Sequence, residues 1–423
     1  MPSWWWFLTV AGFVGLAWVV LVSLFTPAIN YHLHERIAAS SPGFVRAISA
    51  IGQISPHPGN KVDVFTNGPA FYPSMIDAIR AAQHSVCLEC YIFHPGRVAD
   101  AIAEAMIDRA RHGVVVSLVA DSIGSFPFWY SRVRLRLKNA GCRVHNYQGV
   151  RWYSLARLNN RTHRELLIVD GRVAFAGGAG VADWWMYGKG RKKPHWRDTM
   201  VRVEGPVVNL IQGVFAENWL ECCSEILDGE RFYPALEPVG NVTAATIKSS
   251  PSDRFTLARV TFQSLIEAAE KDIRINTPYF LPDTSLRKAL ARTARRGVAI
   301  TVILPGPGTD QRWVRLASRR MYGRLLKAGV RIFEYRPAMM HAKILLVDES
   351  WALIGTTNMD NRSFEHNDEV NLAMRDGDVI TRLGQDFAAD LTVSEEVTLA
   401  RWKSRPLWER ALNPIVWILE RQQ

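Results

Sequence analysis

Cysteine is scarce in this 423-residue chain. There are five, Cys87, Cys90, Cys142, Cys222 and Cys223, and a small odd number in so long a chain excludes a disulfide framework. Cys87 and Cys90 form a C-x-x-C inside SVCLECYIF (85–93), which reads as a buried strand. Residues three apart on a strand face opposite ways, so the pair serves packing and neither zinc binding nor redox exchange. Charge is missing from the N-terminus, where no Asp, Glu, Lys or Arg precedes Glu35. A cleaved signal peptide needs a basic leading region, which this absence excludes. The apolar run from Trp4 to Thr26 would rise about 35 Å as a helix, enough to cross a bilayer core of about 30 Å.

Trp4, Trp5 and Trp6 at one end of that run, and Tyr31 near the other, suit interfacial aromatic belts. Arg36, Arg46 and Lys61 follow it and nothing basic precedes it, so the positive-inside rule places the bulk of the chain in the cytoplasm. The net charge is +11, which draws polyanions: nucleic acid or anionic lipid headgroups. Length and a hydrophobic content of 48% predict two domains with real cores.

A duplication supplies those two domains. IRAAQHSVCLECYIF (79–93) is similar to IEAAEKDIRINTPYF (266–280), IDRARHGVVVSLVAD (107–121) to LARTARRGVAITVIL (290–304), and NAGCRVHNY (139–147) to KAGVRIFEY (327–335). The octets HRELLIVD (163–170) and HAKILLVD (341–348) follow, then RVAFAGG (172–178) and SWALIGT (350–356). Each half reads helix, strand, helix, strand, helix, strand, strand, which predicts an α/β domain with a largely buried mixed sheet. Two such domains would pack around a pseudo-twofold axis. The expected layout is an anchor (1–30), a connecting segment (31–59), a first domain (60–236), a linker (237–254), a second domain (255–398) and an amphipathic interfacial helix (399–423).

The octet carries the chemistry. On a strand, residues i and i+2 share a face, so His341 and Lys343 point together at what an anionic oxygen centre such as phosphate would occupy. Two histidines meeting across one pocket could divide the work: one attacks phosphorus while the other protonates the leaving oxygen and then activates an acceptor. No metal or other cofactor is required. A metal site of His163, Glu165 and Asp170 is disfavoured, because Asp170 lies five residues beyond Glu165 and faces the other way.

With these motifs the chain resembles the phospholipase D superfamily, whose signature is H-x-K-x-x-x-x-D in each half. His341, Lys343 and Asp348 fit it. GTTNMDNRSFEHNDEVNL (355–372) and WRDTMVRVEGPVVNLIQGVFAENW (196–219) resemble the segments that follow the two motifs in bacterial cardiolipin synthases. The resemblance implies a phosphatidyl-histidine intermediate, with His163 as nucleophile and His341 as general acid and base. It implies crossed carboxylate partners, Glu369 for His163 and Asp198 for His341, with Asp170 and Asp348 completing the motifs. Lys343, Asn358 and Ser363 are the implied phosphate and substrate contacts of the second half. The first half departs, with Glu165 for lysine and Gly180 for asparagine. A carboxylate facing phosphate is repelled by several kcal/mol, on the order of magnitude, in a low-dielectric pocket. Arg161, Arg164 or Lys343 could neutralise it, Glu165 could bind a hydroxyl of a glycerol-bearing acceptor, or the first half could be degenerate and the enzyme weak or altered.

Two patches, FPFWYSRVRLRLK (126–138) and DWWMYGKGRKKPHW (183–196), mix aromatic and basic residues and suit an anionic membrane interface. The expected function is therefore a single-pass enzyme of the bacterial inner membrane that joins two phosphatidylglycerols into cardiolipin and releases glycerol. Hydrolysis or transfer to another alcohol is the nearest alternative, a nuclease a more distant one. The expected partner is anionic phospholipid, not nucleic acid.

Overall fold

The computed structural model describes residues 4–25, 31–149, 159–190, 194–251, 256–406 and 409. Its first half contributes β1 (His57–Thr66), β2 (Ser85–Cys90), β3 (Val115–Asp121), β4 (Arg143–Tyr147), β5 (Arg161–Thr162), β6 (Leu166–Val169), β7 (Val173–Gly177) and β8 (Thr199–Glu204). Its second half contributes β9 (Val242–Ser249), β10 (Asp272–Asn276), β11 (Phe280–Leu281), β12 (Ala299–Pro305), β13 (Arg331–Tyr335), β14 (Ile344–Val347), β15 (Trp351–Gly355), β16 (Met359–Asp360), β17 (Asn367–Arg375) and β18 (Ser394–Glu396). The small pair β11–β16 stands apart.

The rest form one sheet in the order β18-β13-β12-β10-β14-β15-β17-β9-β1-β8-β7-β6-β2-β3-β4, with β5 attached to β17. Read outward from the β9–β1 junction, β17, β15, β14, β10, β12 and β13 mirror β8, β7, β6, β2, β3 and β4. The duplication in the sequence is thus a duplication of topology. In each half three strands pair in parallel, β2–β3–β4 and β10–β12–β13, and the remaining neighbours along this path pair antiparallel. Such a mixed sheet needs helices on both faces. Helices 68–81 and 97–111 cover one face of the first half, and 257–268 and 284–295 the corresponding face of the second. A central cluster joins the opposite faces of both halves around helices 208–223 and 377–392. Cys87 belongs to the central cluster and Cys90 to the outer one, so the C-x-x-C straddles the sheet as a strand requires.

Two expectations need correction. The segment 237–254 is no free linker, because it contains β9, which pairs with β1 and β17 at the centre of the sheet. Small and β-branched residues in VTAATIKS make that strand, and its polar flanks concealed it. Nor is 31–59 a mere connector. Its helix Pro42–Gly52 buries Phe44 and Ile48 against the second half, where Trp351 Nε1 donates to Ala39 O at 2.8 Å. Trp4–Phe25 is a 22-residue helix, but among the described residues no helix is long and apolar enough to cross a membrane. Of the C-terminal segment, Leu399–Lys403 is helical and Trp402 packs on Gly323; residues 407, 408 and 410–423 lie outside the described residues.

Candidate active site

The two octets do not begin inside strands. β6 and β14 start one residue after Glu165 and Lys343, so His163–Glu165 and His341–Lys343 are the extended approaches. Each approach is clamped by the other half. β5 pairs in parallel with β17, Arg161 beside Asn367 and Thr162 beside Asp368, and His163 N donates to Asp368 O at 2.9 Å. In the mirror position Arg197 bridges Met340, and His341 N donates to Arg197 O at 2.7 Å. This exchange sets each histidine next to the carboxylate of the opposite half.

His163 Nδ1 lies 3.1 Å from Glu369 Oε2, and His341 Nδ1 lies 2.8 Å from Asp198 Oδ2. Both carboxylates are fully buried. Glu369 also accepts from Thr356 Oγ1 at 2.5 Å and Asn367 Nδ2 at 3.2 Å. Asp198 accepts from Trp185 Nε1 at 2.9 Å and Thr199 N at 2.8 Å. Burial pushes both carboxyls up, but the histidine each one faces, together with the other donors and charges around it, outweighs this, and both end below the usual range. A charged carboxylate on Nδ1 fixes the tautomer and leaves Nε2 for chemistry. Both rings line one cavity of about 470 Å³, with Tyr91, Arg161, Glu165, Trp196, Tyr279, Asp310, Asn358, Asp360, Arg362 and Ser363 also on its wall.

A family model described as cardiolipin synthase, PLD-like domain, matches residues 75–213 and again 262–391. The cardiolipin synthase of Alkalihalophilus pseudofirmus is 34% identical over 84% of this chain and 70% of that protein. Cardiolipin synthase A of Pseudomonas fluorescens is 32% identical over 85% of this chain and 74% of that protein. The chain belongs to the cardiolipin synthase family of phospholipase D-like proteins. In fold it is similar to a phosphatidylserine synthase of Haemophilus influenzae, with a TM-score of 0.70 at 12% identity over 90% of this chain and 98% of that one.

Against the family signature, the residues expected at the site divide into three groups. His163, His341, Lys343, Asp198, Glu369, Glu165, Asn358, Ser363 and Arg161 converge. Lys343 Nζ donates to His341 O at 2.8 Å and sits 2.8 and 3.2 Å from the two ring nitrogens. Burial first, and then Lys343, lowers the His341 pKa. Arg161 donates through Nη1 to Ser122 Oγ at 2.7 Å, while its buried Nε and Nη2 have no partner among the described residues. The guanidinium thus keeps donors for an anion.

Asp170 and Asp348 do not join them. Both sit at positive φ, 54° and 51°, beyond the far ends of β6 and β14. Asp170 accepts from the backbone N–H groups of Gln83, His84 and Ser85, and Asp348 from those of Glu270, Lys271 and Asp272. They fasten the start of the neighbouring strand, and neither lines the cavity. Arg164 also turns away. It donates to Val214 O at 2.7 Å and pairs with Glu217 and Asp368, so it does not neutralise Glu165.

Glu165 is accommodated differently. It is 4% exposed, and its Oε1 accepts from the backbone N–H groups of Tyr91 and Ile92 at 3.2 and 3.4 Å. Burial pushes its carboxyl well above the ordinary range, although the Ile92 N–H and the Lys343 charge oppose this. The carboxyl is thereby held toward its neutral form, with no paired cation required. The second departure explains itself beside the first. A Cβ at Gly180 would lie 2.9 Å from Glu165 Oε1 and 2.6 Å from Ile92 O.

Sequence reasoning missed the aromatic wall. Trp185 and Trp196 flank His341 with ring centroids 5.3 and 5.4 Å away, and both are buried. DWWMYGKGRKKPHW is therefore in part a lining of the site, not only a membrane patch; its residues 191–193 lie outside the described residues. Asp360, whose carboxyl burial raises to about 6, and Tyr91, 5.1 Å from the His163 ring, carried no signal beyond their place in matching segments. In contrast, Phe126, Tyr130 and Leu135 of the other patch are exposed.

Proposed function

We propose that this protein is a cardiolipin synthase-type phosphatidyltransferase acting on two phosphatidylglycerol molecules. The observation that supports it is the crossed pairing, in which each histidine of one half is oriented by a buried carboxylate of the other half on a shared cavity. His163 Nε2 attacks the phosphorus of the first lipid, forming P–N and breaking the P–O bond to glycerol, while His341 gives its proton to the departing oxygen. His341 then removes a proton from a hydroxyl of the second lipid. That oxygen attacks phosphorus, the P–N bond breaks, and cardiolipin leaves with His163 restored. Lys343, Asn358 and Arg161 offer donors to the phosphoryl oxygens.

The helix Trp4–Phe25 serves as a single-pass anchor in this reading. Its 22 uncharged residues rise about 33 Å, and Trp4, Trp5, Trp6, Phe7 and Phe13 stand exposed instead of packing on the domains. Arg36, Arg46 and Lys61 on its C-terminal side place the domains in the cytoplasm. The deciding experiment incubates purified protein with phosphatidylglycerol and follows products by lipid mass spectrometry. Cardiolipin and glycerol in equal amounts support the proposal. Phosphatidic acid alone makes it a hydrolase, and unchanged lipid removes lipid transfer altogether.

A further inference from the structure

Glu165 presents a ligand position that the transfer chemistry above does not use. One oxygen is fixed by two backbone N–H groups, and Gly180 keeps the space around it clear. The other oxygen, Oε2, is buried and has no hydrogen-bond partner among the described residues, and Glu165 lines the cavity. A buried polar atom left unpaired is costly and calls for a partner. A phosphoryl oxygen is a poor one, because it is repelled whenever the carboxyl ionises, and Arg161 and Asn358 on the wall, with the buried Lys343 beside His341, already supply donors. A hydroxyl suits either state, since it donates to a carboxylate and accepts from a carboxylic acid.

Resting on the phosphatidyltransfer reading, we propose that Glu165 Oε2 recognises a second, non-reacting hydroxyl of the headgroup alcohol and makes the site selective for polyols over simple alcohols. In that reading both the leaving and the entering groups are glycerols, so one contact serves both halves of the reaction. Gly180 is its companion, because any side chain there would displace the carboxyl.

The test uses the full-length protein with detergent-dispersed phosphatidylglycerol and competing alcohols. Transfer to labelled glycerol, 1,2-propanediol and 1-propanol is measured by mass spectrometry of the phosphatidyl products. The parent protein should favour either polyol over 1-propanol by about 10-fold or more, the size expected for losing a specific contact to a substrate hydroxyl. Glu165→Ala should reduce that ratio by about 10-fold. Glu165→Gln should keep it within about 3-fold, since an amide also pairs with a hydroxyl. A parent that transfers equally well to 1-propanol overturns the proposal without any variant. A Glu165→Ala protein that loses all acceptors in equal proportion also overturns it. A parent that releases phosphatidic acid but transfers to no alcohol overturns the transfer reading itself, a distinguishable failure.

Discussion

The two halves of the molecule mirror each other across most of the sheet, yet they set unlike residues around the cavity they share. The second half offers His341, Lys343 and Asn358. At matching positions the first offers His163, Glu165 and Gly180. The histidines and their crossed carboxylates are equivalent on both sides; the phosphate-contacting positions are not. The lesson is that orienting the histidines and holding the phosphate are separable tasks. Orientation depends on β5–β17 and Arg197–Met340 pairing between the halves, so both halves must keep it. One set of donors around phosphate suffices, so the other half is free to change, provided that the change closes sterically. Glu165 and Gly180 close together.

The strongest break of this comparison is at the shared element. His163→Ala and His341→Ala should each lower the rate of phosphatidylglycerol turnover by at least about 10³-fold, and the double variant should be little worse, because the pair works as a unit. Near-normal turnover by either would remove the two-histidine mechanism. Next come the crossed carboxylates. Asp198→Asn and Glu369→Gln should cost about 10²- to 10⁴-fold each, and by similar factors if the halves are equivalent in orientation. A loss confined to one of them would show that the symmetry is only geometric.

The donors differ between halves, so Lys343→Met should reduce turnover by about 10²-fold and also move its pH dependence. Burial and Lys343 together hold the His341 pKa below 6.5. His341 therefore loses its proton at lower pH than a free histidine, and its neutral base form persists as pH falls. In the first step His341 must carry a proton, so its pKa sets the alkaline limb of kcat/KM; removing the lysine charge raises that pKa, and this limb should shift to higher pH. A shift to lower pH would contradict the arrangement. Glu165→Lys, which restores the family residue, should reduce activity by roughly 10-fold, since a buried ammonium would face the Tyr91 and Ile92 N–H donors with nothing to accept from them. A rise would mean that the first half had merely lost a phosphate ligand.

The smallest effect concerns the motif aspartates. Asp170→Asn and Asp348→Asn should leave turnover within about 2-fold at 25 °C and lower Tm by a few degrees, as expected for weakening a half-buried hydrogen-bond cluster by about 1–2 kcal/mol. A large loss of activity at unchanged Tm would return these residues to the chemistry.

Much of this architecture was legible in the chain. The duplicated strings predicted the duplicated topology, because helix and strand periods are local properties that each copy repeats. The octets located the histidines, and the segments after them located Asp198 and Glu369. By contrast, β9 was unreadable as a strand, because its pairing partners lie about 125 residues away in β17 and about 185 away in β1, and polar flanks around a short run look the same in a linker. Asp170 and Asp348 belonged to a motif, but a motif is a one-dimensional pattern. A four-residue strand of about 13 Å separates each aspartate from the reactive end, and only the neighbouring strand shows what it binds.

The sequence alone therefore determined the two-domain duplication, the pair of histidines and the departures at Glu165 and Gly180, because residue identity and spacing are written along the chain. Tertiary structure decided where Arg161 and Arg164 point and how a buried glutamate is tolerated, and it supplied the contacts that set each carboxylate on its histidine. Each depends on contacts between segments distant in the chain, and on an interior whose low polarity no local pattern records.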